Sequence, residues 1–177
     1  MPRTCKICKT KFEPQYNSVQ MCCTPKCAIE YAKRLKDKAW KKEKKVLKES
    51  LKTKSDYEKE LEVIVNSFIR WRDRDLPCVS CGAAAGTYKL TAGHFYPAGS
   101  YRNIRFDEDN IHGQCWYNCN KNRHGNLQEY RIGIVSRIGE HGLRELDKRA
   151  RVARHYSIPE LVLMKQEYKE KIRQLKR

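Results

Sequence analysis

The sequence predicts a mainly helical α+β protein whose small hydrophobic cores depend on additional cross-links. Long segments towards both ends of the chain are rich in Ala, Lys, Glu and Leu, which favour helices. One central segment alternates apolar and polar residues, as a half-buried strand does. Charged residues make up 33% of the 177 residues, so little apolar surface is left to form a core. Domains with such small cores usually need disulfides or bound metals.

The cysteines indicate bound metal rather than disulfides. The N-terminus, MPRTCKICKT, lacks the apolar run of a signal peptide, and no segment approaches the length of a membrane span. We therefore expect a cytoplasmic protein, and thiols stay reduced in that compartment. Nine cysteines, most of them in closely spaced pairs, then predict structural zinc sites.

The charge of the chain predicts a polyanionic partner. Lys and Arg number 38 against 21 Asp and Glu, which gives a formal net charge of +17. Such an excess creates self-repulsion and is typical of proteins that bind nucleic acid. An acidic membrane surface is the rival partner, but the chain has no lipidation signal and no basic amphipathic helix with a clean apolar face. We therefore expect nucleic acid and no membrane.

The first segment, residues 1–28, is predicted to be a zinc finger. Two cysteine pairs, spaced by two and by three residues, are separated by a gap of 14 residues. Four thiolates presented in this way suit the tetrahedral coordination of Zn²⁺. Cys22 lies beside the second pair and could replace Cys23 as a ligand. The predicted ligands are Cys5, Cys8, Cys23 and Cys27.

The second segment, residues 29–75, is predicted to be a basic helical arm. Between Lys33 and Lys54 there are 11 basic residues and three acidic ones, with only a ragged apolar stripe. A solvated helix face is one interpretation, and contact with a DNA backbone is the favoured one. The candidate DNA contacts, with four added from the next segment, are Lys33, Arg34, Lys38, Lys41, Lys42, Lys44, Lys45, Arg102, Arg105, Lys121 and Arg123.

A second helix follows within the same arm. Ser55-x-x-Glu58 matches a capping box and predicts where the helix starts. The helix then continues through an amphipathic stripe that should pack on the next segment. The stripe consists of Leu61, Ile64, Val65, Phe68 and Ile69.

The third segment, residues 76–135, contains the residues that indicate chemistry. A second set of four cysteines, Cys78, Cys81, Cys115 and Cys119, predicts a second zinc site. A polar histidine, His94, lies inside the β-like segment between the two pairs. Asn110 follows 16 residues later, and Asn120 comes directly after the last cysteine.

These linked motifs resemble the HNH, or ββα-metal, nucleases in the version that ends in asparagine. The N-terminal zinc finger, the basic helix and the segments AGHFYP, RFDEDNIHGQC, CN and HGNLQEYRIGI resemble the phage NinG/Rap recombination endonucleases over nearly the whole chain. The resemblance implies a ββα-metal core in which zinc has a structural role and Mg²⁺ or Mn²⁺ a catalytic one. It also implies cleavage of branched DNA, such as Holliday junctions and D-loops, in the host bacterial cytoplasm.

The resemblance assigns a role to each motif residue. His94 takes the position of the general base that accepts a proton from water. Asn110 would brace the backbone of the His94 loop, and Asn120 would bind the catalytic metal through its side-chain oxygen. His112 and His124 are further candidates for binding the metal or a phosphate, and the two could act together. His112 could instead complete a zinc site.

Two features depart from the family pattern. Many HNH enzymes have a metal-binding Asp before the catalytic histidine, and this chain has Gly93 there. Asp107 or Asp109 could supply the missing carboxylate. The last cysteine pair is also spaced by three residues instead of two, which could shift the position of Asn120 by one. The remaining histidines, His141 and His155, are interpreted as structural.

The fourth segment, residues 136–177, is predicted to be helical and basic. Gly139 to Gly142 marks a break between helices, and Ser157 caps a helix whose first turn contains Pro159. The final helix has an apolar stripe that would pack on the second helix of the arm or form the seam of a homodimer. The stripe consists of Leu161, Met164, Tyr168, Ile172 and Leu175.

The function predicted from the sequence is metal-dependent endonuclease cleavage of branched DNA. A non-catalytic, zinc-dependent nucleic-acid-binding adaptor is the alternative, because Gly93 leaves the expected metal ligand missing. An RNA-processing nuclease differs only in its substrate, and no residue in the sequence selects between DNA and RNA.

Overall fold

The computed structural model describes residues 1–17 and 19–177. The chain divides into two compact units, an N-terminal unit of Met1–Lys52 and a C-terminal unit of Thr53–Arg177. The expected arm of residues 29–75 is therefore divided between them. Among the described residues, no helix combines the length and the apolar character that a membrane crossing requires. The helices are α1 (Pro25–Ser50), α2 (Lys54–Arg72), α3 (Leu127–Arg151) and α4 (Ile158–Leu175).

The N-terminal unit contains a short hairpin and the long helix α1. Strands β1 (Arg3–Thr4) and β2 (Lys11–Phe12) pair in an antiparallel register. The side chain of Thr24 caps α1 by accepting a hydrogen bond from the backbone N–H of Cys27. No residue of α1 is buried, which confirms that its apolar stripe is too ragged to form a core.

Helix α2 begins two residues earlier than the sequence predicted. Thr53 is the N-cap, and its hydroxyl accepts a hydrogen bond from the backbone N–H of Asp56. The Asp56 carboxylate in turn accepts one from the backbone N–H of Thr53, which completes a capping box. The predicted box of Ser55 and Glu58 is therefore wrong, because the overlapping pair two residues earlier forms the cap.

The larger core of the C-terminal unit lies where α2 packs against α4. Leu61, Val65 and Ile69 of α2 are fully buried together with Leu161 of α4. The ring centroids of Phe68 and Tyr168 lie 5.3 Å apart across this contact. Of the two predicted roles for the apolar stripe of α4, the structure contains packing against α2 within the chain. Ser157 caps α4, as predicted.

The C-terminal unit contains the second hairpin of the chain. This hairpin lies between helices α2 and α4 and the cysteines of the same unit. Strands β3 (Leu90–His94) and β4 (Ile111–Cys115) are antiparallel, with Gly93 opposite His112 and Thr91 opposite Gln114. Two short 3₁₀ helices, Arg102–Ile104 and Glu108–Asn110, lie in the connection between the strands. A π-helical turn, Trp116–Asn122, follows β4 directly.

Helix α3 covers the other side of this hairpin and forms a second, smaller core. Tyr130, Ile134, Leu143 and Leu146 are its buried residues, packed with Val79 and Ile104. The helix is kinked at Gly139, which has φ 73° and ψ 168°, a conformation that glycine adopts readily. The prediction of a helix break beginning at Gly139 is thus confirmed.

Candidate functional site

The structure forms both predicted four-cysteine groups. In each group the four sulfur atoms lie within 4.8 Å of one another, as zinc coordination requires. The N-terminal group contains Cys23, whereas the neighbouring Cys22 is buried but lies outside the group. The structure therefore selects Cys23 over Cys22 as the fourth ligand. The groups are Cys5, Cys8, Cys23 and Cys27, and Cys78, Cys81, Cys115 and Cys119.

Backbone N–H groups stabilise thiolates in the second cysteine group. The N–H of Cys115 donates to the sulfur of Cys78, and the N–H of Cys119 donates to the sulfur of Cys115, each at 3.3 Å. Donors of this kind favour the charged thiolate, which is the form that binds zinc. The group joins the start of the third segment, residues 76–135, to the end of β4 and to the π-helical turn.

A pocket of about 330 Å³ lies beside this cysteine group, at the end of β3. It brings together three side chains that the sequence singled out, His94, Asn120 and His124. Two polar side chains of α2 also line it, and these were not expected at the site. The full lining is Glu62, Asn66, Ala92, His94, Pro97, Asn120, His124, Gly125 and Leu127.

One hydrogen bond determines the tautomer of His94. Its Nε2 lies 3.0 Å from the carbonyl oxygen of Arg105, which can only accept, so Nε2 carries the proton. Nδ1 then has the lone pair and can accept a proton from another molecule. Burial lowers the pKa of His94 from its ordinary value of 6.5, with an opposing contribution from the Arg105 carbonyl. The imidazole is therefore neutral at physiological pH.

Asn110 is fully buried and holds the loop that follows His94. Its side-chain oxygen accepts from the backbone N–H of Tyr96 at 2.8 Å. Its amide donates to the carbonyl oxygens of Tyr96 and Ile104, at 3.1 and 3.2 Å. These bonds fix both ends of the loop between β3 and the first 3₁₀ helix.

The orientation of the Asn120 amide follows from a chain of hydrogen bonds through Gln114. The Gln114 Nε2 donates to the carbonyl oxygen of Gly125 and to the hydroxyl of Ser80, both at 2.6 Å. Its other atom is therefore the oxygen, which accepts from Nδ2 of Asn120 at 3.0 Å. Nδ2 of Asn120 is occupied in this way, and Oδ1 remains as an acceptor for a ligand.

Gln114 also explains why glycine occupies position 93. A Cβ atom added to Gly93 would lie 2.5 Å from Oε1 and 3.1 Å from Cδ of Gln114. Gln114 is fully buried and hydrogen-bonded through both ends of its amide, so it cannot move aside without breaking those bonds. The carboxylate expected before His94 therefore has no room in this protein.

His112 does not belong to the pocket, which corrects its place among the metal and phosphate candidates. It is buried, and Arg72 lies 3.2 Å from its Nδ1. Its Nε2 lies 3.0 Å from the carbonyl oxygen of Asp109, so both ring nitrogens are engaged. Burial and the neighbouring Arg72 lower the pKa of His112 to about 4. It is a neutral structural residue and cannot be the partner of His124.

The two aspartates proposed to replace the missing carboxylate also lie outside the pocket. Asp107 accepts a hydrogen bond from Nε of Arg149 at 2.7 Å. Asp109 accepts from another nitrogen of the same guanidinium at 2.8 Å. Both carboxylates thus attach the second 3₁₀ helix to α3, and neither is a ligand at the pocket.

The candidate DNA contacts differ in exposure. All seven on α1 are exposed, as are Arg102, Lys121 and Arg123. Arg105 is the exception, because its side chain is only 15% exposed and forms ion pairs with Glu58 and Glu62. Arg105 is therefore a structural residue rather than a DNA contact.

Glu62 and Asn66 are the pocket residues that sequence reasoning missed. They are four residues apart on α2, so both lie on the same face of the helix. The signal in the sequence was Asn66, a polar residue with low helix propensity that interrupts, together with Ser67, the apolar run of residues 63–69. The helix was interpreted only as a packing element, and its contact with the pocket depends on the tertiary fold.

Comparison with known proteins identifies the family. A sequence profile described as "Bacteriophage Lambda NinG protein" matches residues 1–177. The chain belongs to the NinG family. It is similar to protein ninG of Escherichia phage 933W, with 35% identity covering 98% of this chain and 94% of that protein. It is also similar to the ninG proteins of phage lambda and Salmonella phage P22, each 34% identical over 98% of this chain and 93% and 94% of theirs. No solved structure matches this NinG-family chain.

Proposed function

We propose that this NinG-family protein is a divalent-metal-dependent endonuclease that cleaves branched DNA. The observation that carries the proposal is the pairing of a neutral His94 with Asn120 and His124 in one pocket beside a zinc-binding group. The order of these residues along the chain resembles the HNH pattern, which is the basis for expecting phosphodiester hydrolysis.

His94 has the properties of a general base. Its tautomer leaves Nδ1 free to take a proton from water, and its lowered pKa keeps that nitrogen unprotonated near neutral pH. A positioned base of this kind accelerates hydrolysis by about 10²–10⁴-fold. Asn110 holds the loop after His94 and so keeps the imidazole directed at the pocket.

The oxygen donors in the pocket suit a hard divalent cation such as Mg²⁺ or Mn²⁺. Asn120 would bind it through Oδ1, and His124, which is exposed at the pocket rim, is a further donor. When bound, the cation supplies positive charge that stabilises the phosphate oxygens during cleavage. Gln114 holds Asn120 in position for this role.

The charge distribution supports a nucleic-acid substrate. The net charge is +17, and the basic residues of α1 are exposed with no core to bury them. Exposed Trp116 and Tyr117 precede Asn120 in the π-helical turn and could stack on bases. Preference for branched DNA is inferred from the resemblance to recombination endonucleases.

The proposal is tested with His94→Ala in a cleavage assay on a synthetic four-way junction. We expect the variant to bind the junction within a few-fold of the parent and to cleave about 10²–10⁴-fold more slowly in Mg²⁺. His155→Ala is the matched control, because it removes an exposed histidine outside the pocket.

Three results would contradict the proposal in different ways. Normal cleavage by His94→Ala would place the base elsewhere, with His124 as the next candidate. Absence of cleavage by the parent, with intact binding, would instead support the non-catalytic adaptor. Faster cleavage of an RNA hairpin than of the junction would make RNA the substrate.

A further inference from the structure

A divalent cation normally requires a carboxylate ligand, and the structure shows why the β3–β4 hairpin and its connection do not supply one to the pocket. Gln114 fills the space beside Gly93, and Asp107 and Asp109 are paired with Arg149. Divalent cations with hard character bind carboxylates and other oxygens in preference to neutral nitrogen ligands alone. Any acidic ligand must therefore come from another element.

The acidic residue that lines the pocket is Glu62 of α2. One of its oxygens, Oε2, pairs with the guanidinium of Arg105 at 2.8 Å. Among the residues that the structure describes, its other oxygen, Oε1, has no hydrogen-bond partner. Arg105 also pairs with Glu58 at 3.1 Å, so two carboxylates share one guanidinium. Glu58 has a second basic partner, Lys54, at 4.0 Å.

Arg105 positions both Glu62 and His94. Its carbonyl oxygen accepts from Nε2 of His94, and its guanidinium holds Glu62. The two side chains are close enough for the Glu62 charge to raise the pKa of His94, against the larger effect of burial. One residue thus determines the geometry of the base and of the carboxylate together.

Asn66 provides an independent sign of a ligand. Its side-chain oxygen, Oδ1, is fully buried and has no hydrogen-bond partner among the described residues. A buried acceptor left in this way costs about 1–3 kcal/mol, so native proteins normally satisfy it. Asn66 lies one turn after Glu62 and lines the same pocket.

We propose that Glu62 is the carboxylate ligand of a divalent-cation site that also uses the side-chain oxygens of Asn66 and Asn120. The acidic ligand comes from the helix packed over the hairpin and not from the residue before His94. The catalytic role of this cation site rests on the proposed function, but the presence of the site can be tested by metal binding alone. The cation is of the hard class, Mg²⁺ or Mn²⁺, since carboxylate and amide oxygens form the donor set.

The test measures Mn²⁺ binding to the zinc-loaded full-length protein by electron paramagnetic resonance, without DNA. Mn²⁺ does not displace zinc from thiolates, because zinc binds such ligands far more tightly. We expect one Mn²⁺ site in the parent and at least a tenfold weaker site in Glu62→Gln. Glu58→Gln is the matched control, since it removes the other partner of Arg105 but no lining residue of the pocket.

Two further measurements keep the test decisive if a variant is unstable. Zinc content and circular dichroism are recorded for each variant, so a loss of Mn²⁺ binding is interpreted only in folded protein. Asn66→Asp adds a charged oxygen at the same place and should tighten Mn²⁺ binding. It should also increase the thermal stabilisation that Mn²⁺ gives relative to the parent, because tighter binding to the folded state stabilises it further.

The possible outcomes separate this inference from the proposed function. Parent-like Mn²⁺ binding by Glu62→Gln, or no Mn²⁺ site in the parent, would overturn the inference even if the protein cleaves junctions. Equally weakened binding in Glu62→Gln and Glu58→Gln would also overturn it, because it would reflect only the disruption of Arg105 pairing. A Glu62-dependent site in a protein that does not cleave would support the inference and contradict the proposed function.

Discussion

At the scale of single residues, the pocket depends on two backbone carbonyls. The Arg105 carbonyl assigns the proton of His94 to Nε2, and the Gly125 carbonyl assigns the amide of Gln114 and, through it, that of Asn120. Carbonyl groups do not change protonation state, so they hold these orientations at any pH at which the fold persists. The lone pair on Nδ1 of His94 and the Oδ1 of Asn120 are therefore preorganised before a ligand binds.

The lowered pKa of His94 predicts the pH dependence of cleavage. The base is active only when unprotonated, so the rate should fall as pH decreases through its pKa and remain flat above it. Burial and the Arg105 charge lower this pKa, and the Arg105 carbonyl and Glu62 raise it, with a net shift below 6.5. We expect half-maximal single-turnover cleavage at a pH below 6.5, measured with saturating Mn²⁺ and junction. A rate that still rises steeply between pH 7 and 9 would contradict this assignment.

At the scale of elements, cysteine spacing and helix composition predicted more of the structure than the local signals for the start of a helix did. The cysteine pairs and the apolar stripes of α2 and α4 depend on periodicity, which sequence shows directly. The start of α2 was misplaced because Thr53–Asp56 and Ser55–Glu58 both match a capping box in overlapping positions. The two alternatives differ only in local geometry, so the sequence alone could not select between them.

Helix α1 offers a test of the expected DNA contact. Its candidate basic residues are exposed, and none is buried in a core that substitution would disturb. Replacing Lys38, Lys41, Lys42 and Lys45 with Gln should weaken binding to junction and duplex DNA alike. The slope of log K against log salt should become shallower by about 0.9 for each lysine–phosphate interaction that the substitutions remove. Fluorescence anisotropy across a salt series gives the slope.

A matched control uses lysines from the other unit. Lys169 and Lys176 lie on or after α4, and replacing them removes charge without changing α1. An unchanged slope in the α1 variant would show that the helix has only a solvated face. Equal effects per lysine replaced in the two variants would indicate a response to net charge rather than an interaction made by α1.

At the scale of the whole molecule, the features that could not be predicted are contacts between distant segments. Gln114 against Gly93, and Glu62 beside His94, each join residues separated by 20 or more positions along the chain. Glu62 was hidden because an amphipathic helix signals which face is buried but not which polar residues border a neighbouring pocket. The aspartates chosen instead were near in sequence and are paired with Arg149 in the fold.

Zinc content tests the organisation of the whole chain. We expect two tightly bound Zn²⁺ per chain, one for each cysteine group, by metal analysis of protein purified without chelator. Cys23→Ser should lose about one equivalent, because Cys23 is a member of the N-terminal group. Cys22→Ser is the control and should retain both metals, since Cys22 lies outside the group. The reverse pattern, or one zinc or fewer in the parent, would contradict the assignment.

The close packing of Gln114 on Gly93 has a consequence for which residues position 93 could acquire during evolution. If a side chain is added at position 93 first, it overlaps with Gln114. If Gln114 is shortened first, Asn120 and the Gly125 carbonyl lose their shared hydrogen-bond partner. Each order of substitution therefore passes through a destabilised intermediate protein. A lineage that carries this pair is held at glycine by a steric barrier, and new side chains at the pocket are more accessible on α2 than at position 93 of β3.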